Sequence, residues 1–376
     1  MKILHLGDLH LGKNVNGFSM IEDQEYILKQ IIEISKNNKI DTVLIAGDVY
    51  DKSLPSSEAV ILFDRFLTDL SDKVSDILII SGNHDSPERL SFASELMEKS
   101  HVYISKRLSE SIKKVELNDE YGKINFYMLP FVKIIEVKHL YPDAEIQDIN
   151  DAIKTIISKI SLNKNERNIL IAHQFVTGAQ TAGSEIMPVG GLDNIDAEIF
   201  SAFDYTALGH IHRPQKITDK IRYSGSILKY SSSEVKSRKS VPIIDIKEKG
   251  EIDITLLPLR PIHDMIEIKG LYNELMSPEY YNKLNTNDYI YAVLTDDIPE
   301  PDTMAKLRSV YKNIMGISFE NLSKTIDTES ITNEPISIEP LMIVEQFFNE
   351  MYGKPINEKQ HDIIVQTITE IMEEEQ

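Results

Sequence analysis

A layered α/β fold, followed by a small α+β domain and a C-terminal helix pair, is predicted by three observations. Apolar runs alternate with amphipathic helical stretches through the first half of the chain. Five of the apolar runs end abruptly on His, Asp or Asn. After Pro258 and Pro261 the pattern changes to short strands around one new helix.

The elements follow in order. Lys2 to Leu6 reads as a strand opening into Gly7-Asp8. Ser19, with Glu22 three residues on, suits a capping box before a helix carrying Ile27, Ile31 and Ile34. Thr42–Ala46 completes a βαβ unit. Ser56 or Ser57 caps the next helix, whose apolar stripe is Val60, Phe63, Leu67 and Leu70. Ile77–Ser81 is the third strand, and Glu88–Lys99 reads as helical through Leu90, Ala93 and Met97. Lys123–Pro130 is a further strand, Ile149–Ser161 a helix, and Ile169–Ala172 the strand that ends at His173. Thr177–Leu192, rich in Gly, Ser and Thr, reads as a long functional loop. Ile221–Tyr223, Val241–Ile246 and Ile252–Pro258 read as strands of a second sheet.

Beyond Pro261, strands are predicted at Met265–Lys269, Asp288–Thr295 and Ile317–Leu322. Asp302 would cap a helix through Met304, Leu307, Tyr311 and Ile314, ended by Gly316. Ser323–Glu339 is polar and acidic and reads as a linker. Two helices then follow, with Leu341, Val344, Phe348 and Met351 on one stripe and Ile364, Ile368 and Ile371 on the other. So short a pair buries Phe347 and Phe348 poorly by itself. Packing onto the chain's own body and docking on a partner's helices both answer that.

Composition bounds the function. The chain has 376 residues, with 41% hydrophobic and 27% charged, which suits a globular protein of more than one domain. It has no cysteine, so disulfides and thiolate metal sites are excluded. No apolar run approaches the roughly 20 residues of a membrane helix, and the first residues run straight into a strand, so neither membrane span nor signal peptide is expected. These features fit a cytoplasmic protein. Formal net charge is −20, which taken alone argues against a broad phosphate-tracking surface. A metal site would supply local positive charge regardless.

The strand ends carry the chemistry: Asp8, His10, Asp48, Asn83, His173, His210 and His212. Imidazole and carboxylate donors without thiolate suit manganese, iron or zinc. Asp-x-His and His-x-His at an extended strand end face the same pocket. Seven donors exceed one ion's needs and suit two ions sharing a carboxylate, the arrangement that serves phosphoryl transfer. His84 stands beside the donor Asn83 and is free to protonate a leaving oxygen or hold a phosphoryl oxygen. His5 reads as a packing residue, and His101, His139, His263 and His361 fit no motif.

The ordered set Asp8-x-His10, Gly47-Asp48-x-x-Asp51, Gly82-Asn83-His84-Asp85, His173 and Gly209-His210-x-His212 resembles the calcineurin-like metallophosphoesterase superfamily. Lys2-Ile3-Leu4-His5, Gly47-Asp48-Val49-Tyr50-Asp51, Tyr223-Ser224-Gly225-Ser226 and Tyr230-Ser231 resemble its SbcD branch, nuclease subunits that act with an SbcC ATPase. The resemblance implies a four-layer αββα sandwich over residues 1–262. It further implies a DNA-capping domain over 263–322, a linker over 323–339, and a helix pair over 340–376 that docks on the SbcC coiled coil. It implies two manganese ions, with magnesium or another divalent ion as substitutes. One would be held by Asp8, His10, Asp48 and His212, the other by Asp48, Asn83, His173 and His210, with His84 catalytic. It implies exonuclease and endonuclease action on single-stranded DNA, double-stranded ends and hairpins, in repair, replication and recombination. It also implies a homodimer within a heterotetramer, for which the stripes at 57–70 and 88–98 are candidates. The same scaffold serves phosphomonoesterases and cyclic-nucleotide phosphodiesterases, the alternative reading. Where some relatives have a second catalytic histidine, this chain has Asp51, and Gly7 and Leu9 replace the Ser or Ala and the Trp common around the first motif. Lys13, Lys52, Arg89, Arg213, Lys229, Lys236, Arg238 and Lys239 are candidates for phosphate contact.

Overall fold

A computed structural model describes residues 1–181, 185, 194–296, 301–320, 356, 360, 361 and 363–365. The chain divides into two units, 1–321 and 322–376. The linker and most of the helix pair expected at 323–376 lie outside the described residues, as does most of the 177–192 loop.

Two six-stranded sheets form the body of the first unit. The strands are β1 (Lys2–Leu6), β2 (Thr42–Ala46), β3 (Asp76–Ile80), β4 (Val102–Ile104), β5 (Lys113–Asp119), β6 (Gly122–Leu129), β7 (Arg167–His173), β8 (Tyr205–Gly209), β9 (Gln215–Lys216), β10 (Ile221–Tyr223), β11 (Ser240–Ile246) and β12 (Ile252–Pro258). One sheet has the order β12-β11-β1-β2-β3-β4, the other β9-β10-β8-β7-β6-β5. In both, the central strands are parallel; an antiparallel hairpin closes one edge of the first sheet and both edges of the second.

Strand alternation builds the layers. Ile3, Leu44, Leu78 and Ile80 point into the seam between the sheets and meet Phe126, Met128, Ile169, Ile171 and Tyr205. Leu4, Leu6, Val43, Ile45, Ile77 and Ile79 point the other way, onto helices α1 (Ile21–Asn38) and α2 (Ser57–Ser71). The outer face of the second sheet packs Leu170, Ala172 and Leu208 on the helix Ile149–Ser158. Strands covered on both faces read as unbroken apolar runs, which is why the sequence announces them. The result is the expected four-layer αββα sandwich.

A three-stranded parallel sheet, β13 (Met265–Gly270), β14 (Tyr289–Leu294) and β15 (Ile314–Phe319), forms the small α+β part. Asp23 of α1, almost fully buried, anchors it: its carboxylate accepts from the His263 amide (3.0 Å), His263 Nδ1 (3.1 Å) and the Tyr289 hydroxyl (2.8 Å). His263 therefore has a structural place the sequence did not signal.

Several expectations are corrected. No capping box forms at Ser19: α1 starts at Ile21 after Met20, and the Ser19 hydroxyl only accepts from the Ile21 amide at 3.5 Å. Ser56, not Ser57, caps α2, accepting from Ala59 at 3.2 Å. Val60 is 43% exposed; Ala59, Leu62 and Phe66 join Phe63, Leu67 and Leu70 on the buried face. The helix expected over 88–99 is broken into Pro87–Leu90 and Ser94–Met97, because Ala93 turns left-handed at φ 56°. Ile221–Tyr223 joins the sheet of His173, whereas Ser240–Ile246 and Ile252–Pro258 extend the first sheet, so the three do not form a sheet together. The helix after Asp302 ends at Arg308, and Gly316 lies inside β15. β5 was not expected; its polar, half-exposed face hides the alternation.

Candidate metal centre

The site lies at the carboxyl ends of β1, β2, β3, β7 and β8, where ligands collect in open α/β sheets. Asp8, His10, Asp48 and His210 all have positive φ, at 53°, 46°, 49° and 103°. Non-glycine residues held there store of order 1–3 kcal/mol each, strain that clusters at functional sites. Main-chain bonds hold it in place. Asp8 donates to the Gly47 carbonyl (3.1 Å), His10 to Asp48 (2.9 Å) and Leu11 to Val49 (2.9 Å). The Asp85 carboxylate ties two strand ends together, accepting from the amides of Val49 (3.1 Å), Tyr50 (3.0 Å) and Gly82 (2.9 Å).

All seven predicted donors converge. His10 Nε2 lies 2.9 Å from His212 Nε2 and 3.6 Å from Asp48 Oδ2. His173 Nε2 lies 3.3 Å from the same Asp48 oxygen and 3.0 Å from Asn83 Oδ1. His210 Nδ1 lies 2.9 Å from that Asn83 oxygen, and the His210 amide donates to Asp8 Oδ1 at 2.9 Å. His84 stands at the rim, half-buried, its ring 4.9 Å from that of His10. Its amide donates to Asp48 Oδ1 (2.9 Å), and its Nδ1 meets the Asp51 carbonyl (2.9 Å). A carbonyl only accepts, so His84 Nδ1 carries a proton.

Burial pushes the Asp8 carboxyl up to about 6, against the pull of His173 and His212. It would raise Asp48 too, but the charges of His173, His10 and His84, with a hydrogen bond from His173, hold that group well below the usual carboxylate range. Burial also lowers His10, and lowers His210 to about 3. His173 is buried as well, yet the Asp48 charge and hydrogen bond carry it up to about 9.

The donors fit divalent cations. Asp8, His10 and His212 offer atoms within 4.8 Å of one another, as do Asp8, Asp48 and His173, and His10, Asp48 and His84. Asp8 Oδ2 and His10 Nδ1 are buried without hydrogen-bond partners. Two imidazole Nε2 atoms 2.9 Å apart beside carboxylates are a donor set that a hard or borderline cation satisfies. Asp48 Oδ2 lies near both His10 Nε2 (3.6 Å) and His173 Nε2 (3.3 Å).

Residues 1–214 match the calcineurin-like phosphoesterase family. The chain belongs to that family. Residues 261–352 match a second family, described as the type 5 capsule protein repressor C-terminal domain. This phosphoesterase is 34% identical over 383 aligned positions to the SbcD subunit of the nuclease SbcCD from Staphylococcus epidermidis, covering 100% of both chains. It is also 34% identical to the Staphylococcus saprophyticus protein of the same name, covering 100% of this chain and 99% of that one. A solved dimetal phosphatase from Danio rerio aligns at 10% identity with a TM-score of 0.39, over 69% of this chain and 99% of that chain.

Around the phosphoesterase centre lie residues to which the sequence assigned no role. Gln24 Nε2 donates to the His10 carbonyl (2.7 Å), and the Tyr230 hydroxyl donates to Leu9 (2.6 Å). They fix the first motif from α1 and from a loop more than 200 residues away, so no local spacing marks them. Three candidate phosphate contacts are committed elsewhere. Lys13 pairs with Asp51 (2.7 Å) and Lys229 with Asp264 (2.8 Å), and Lys239 is buried. Lys52, Arg89, Arg213, Lys236 and Arg238 are exposed. No helix among the described residues is long and apolar enough to cross a membrane.

Proposed function

We propose that this chain is the nuclease subunit of an SbcCD-type complex, a manganese-dependent phosphodiesterase that cuts DNA. The observation that carries the reading is the convergence of all seven donors and His84 on one pocket, in a chain alike along its whole length to proteins named as the SbcD subunit of the nuclease SbcCD. Asp8, His10, Asp48 and His212 would hold one ion and Asp48, Asn83, His173 and His210 the other. When bound, such ions bring the pKa of water toward neutrality and neutralise charge developing on the phosphodiester.

The chain's own groups do the rest. The Ala46 and Asp51 carbonyls fix the Nδ1 protons of His173 and His84. His173 thereby presents Nε2 to the cluster, and His84 presents Nε2 to substrate. When Nε2 also takes up a proton, giving the imidazolium, His84 can hold a phosphoryl oxygen and deliver that proton to the leaving oxygen. No serine or cysteine nucleophile is required.

The wider layout follows the same reading. Residues 1–262 are the nuclease domain, 263–322 cap the DNA, and 340–376, after a linker over 323–339, dock on the SbcC ATPase. The exposed side chains Val60, Ile61, Phe92 and Leu96 are the surface offered to a second copy, giving a homodimer within a heterotetramer. The complex would act in the cytoplasm on single strands, double-stranded ends and hairpins, in repair, replication and recombination.

The test is hydrolysis by the purified chain, with manganese, of single-stranded DNA beside a simple phosphomonoester and a cyclic nucleotide. DNA cleavage with little turnover of the small substrates is expected. Strong small-substrate turnover without DNA cleavage would replace the nuclease by a phosphomonoesterase or cyclic-nucleotide phosphodiesterase on the same scaffold.

A further inference from the structure

Behind His212, on the side away from the other metal donors, lies a buried ion pair that the hydrolytic reading does not use. Glu234 is 1% exposed and Lys239 6%. Their side chains are joined by a direct hydrogen bond between Lys239 Nζ and Glu234 Oε2. The other carboxylate oxygen, Glu234 Oε1, accepts from the Tyr230 amide (3.2 Å) and lies 3.6 Å from His212 Nδ1. Lys239 Nζ also donates to the His212 carbonyl (2.8 Å) and to Ser226 Oγ (2.7 Å). The Ser226 amide donates to the same His212 carbonyl at 3.0 Å.

A pair this dry is poor as a source of stability. Desolvating two charges offsets most of their attraction, and well-packed apolar replacements are often neutral or better. Its contacts, however, are concentrated on one residue. The ring of His212 faces a carboxylate at Nδ1, and its main chain is held by an ammonium and an amide. With Nδ1–H directed at Glu234, the His212 lone pair is on Nε2, the atom that faces His10 Nε2 at 2.9 Å.

We infer that Glu234 and Lys239 are positioning residues that select the His212 tautomer and aim its Nε2 into the cluster, with Ser226 bracing the backbone. Carboxylates behind ligating imidazoles orient the ring and raise its basicity, and their loss lowers metal affinity about 10–100-fold. Lys239 keeps the carboxylate ionised and in place without touching the metal or substrate. This inference rests on the two-ion reading of the site.

Two double variants separate orientation from folding. Glu234→Leu with Lys239→Met removes both charges and the acceptor. Glu234→Gln with Lys239→Met removes both charges but keeps an oxygen that accepts from Nδ1–H. Manganese binding to each full-length chain is measured by calorimetry, with thermal melting under chelator as the fold check. The acceptor-free variant is expected to lose about 10–100-fold at one of the two ion sites, and the Gln variant to stay within about threefold of the parent. Equal affinities in the parent and both variants, or equal losses in the two variants, would overturn the inference. A parent chain that binds no divalent ion would sink the metal reading itself, and this inference with it. If the acceptor-free variant does not fold, nitrogen NMR of the parent decides. His212, assigned by loss of its signals in His212→Gln, should carry its proton on Nδ1 in the manganese-free and magnesium-loaded forms. A proton on Nε2 in the magnesium-loaded form would overturn the inference.

Discussion

His173 donates its Nδ1–H to the Ala46 carbonyl at 2.8 Å, joining the end of a strand in one sheet to the end of a strand in the other. One bond thus does two things. It satisfies a carbonyl at the seam between sheets, and it leaves Nε2 directed at Asp48 and Asn83. Replacing His173 with Ala should orphan that carbonyl and destabilise the chelated protein by about 1–3 kcal/mol. Urea unfolding under chelator reads this. Calorimetry should show one ion site lost. Unchanged stability together with two intact sites would contradict the assigned role.

His84 and Asp48 should fail differently. His84→Ala removes a proton donor at the rim and should lower kcat for phosphodiester cleavage about 10²–10⁴-fold, with metal binding retained. Asp48→Ala removes the carboxylate that lies between both donor groups, 3.6 Å from His10 and 3.3 Å from His173, and should abolish uptake of the ion pair. Steady-state rates and metal titrations on the two variants separate these outcomes. Full activity in either variant would remove the mechanism.

His5 gives a pH prediction away from the donors. It sits between the sheets, its Nδ1 3.1 Å from the Tyr205 hydroxyl, and burial lowers its pKa to about 3 from an ordinary 6.5. The folded chain thus stays unprotonated at His5 where the unfolded chain takes up a proton. Stability from this group is present above pH 6.5 and is lost as pH falls toward 3, by up to about 1.4 kcal/mol per pH unit. His5→Gln cannot titrate. Its stability, from urea curves under chelator at pH 7, 5.5 and 4.5, should fall less steeply than the parent's by about that slope. Parallel curves would show that His5 does not resist protonation.

The legible part of this fold is its buried sheet. β1, β2, β3, β7 and β8 are covered on both faces, so each appears as an apolar run, and the polar residue that ends each run lies in the candidate site. Elements with an exposed face were harder. β5 alternates weakly, and the helix after Ser86 is broken by a left-handed Ala93, which no propensity announces. Three of the basic residues that looked available to DNA are committed to Asp51, Asp264 and Glu234, partners invisible at sequence range. Gln24 was missed, and Tyr230 and Asp85, though inside quoted motifs, had no role assigned, because each acts on main-chain groups outside its own local stretch. Donor residues betray themselves by spacing; the residues that aim them do not.

Gly82 shows how closely the strand ends are fitted. A Cβ there would fall 2.1 Å from Asp48 Oδ1 and 2.4 Å from the Asp48 amide nitrogen. The amide cannot retreat without moving the left-handed Asp48 backbone, so the shared carboxylate must shift. Gly82→Ala should therefore destabilise the chain by about 1–3 kcal/mol through overpacking. It should also weaken manganese binding by at least about tenfold, the scale of loss when a metal ligand is misdirected. Gly250→Ala is the control. Its φ is +88°, so it carries backbone strain, but nothing lies within 4 Å of its Cβ. It should lose about 1 kcal/mol and bind metal as the parent does. Calorimetry and urea unfolding on the two variants decide the matter. If Gly82→Ala binds manganese as tightly as Gly250→Ala, the position of Asp48 is not set by the close approach of Gly82.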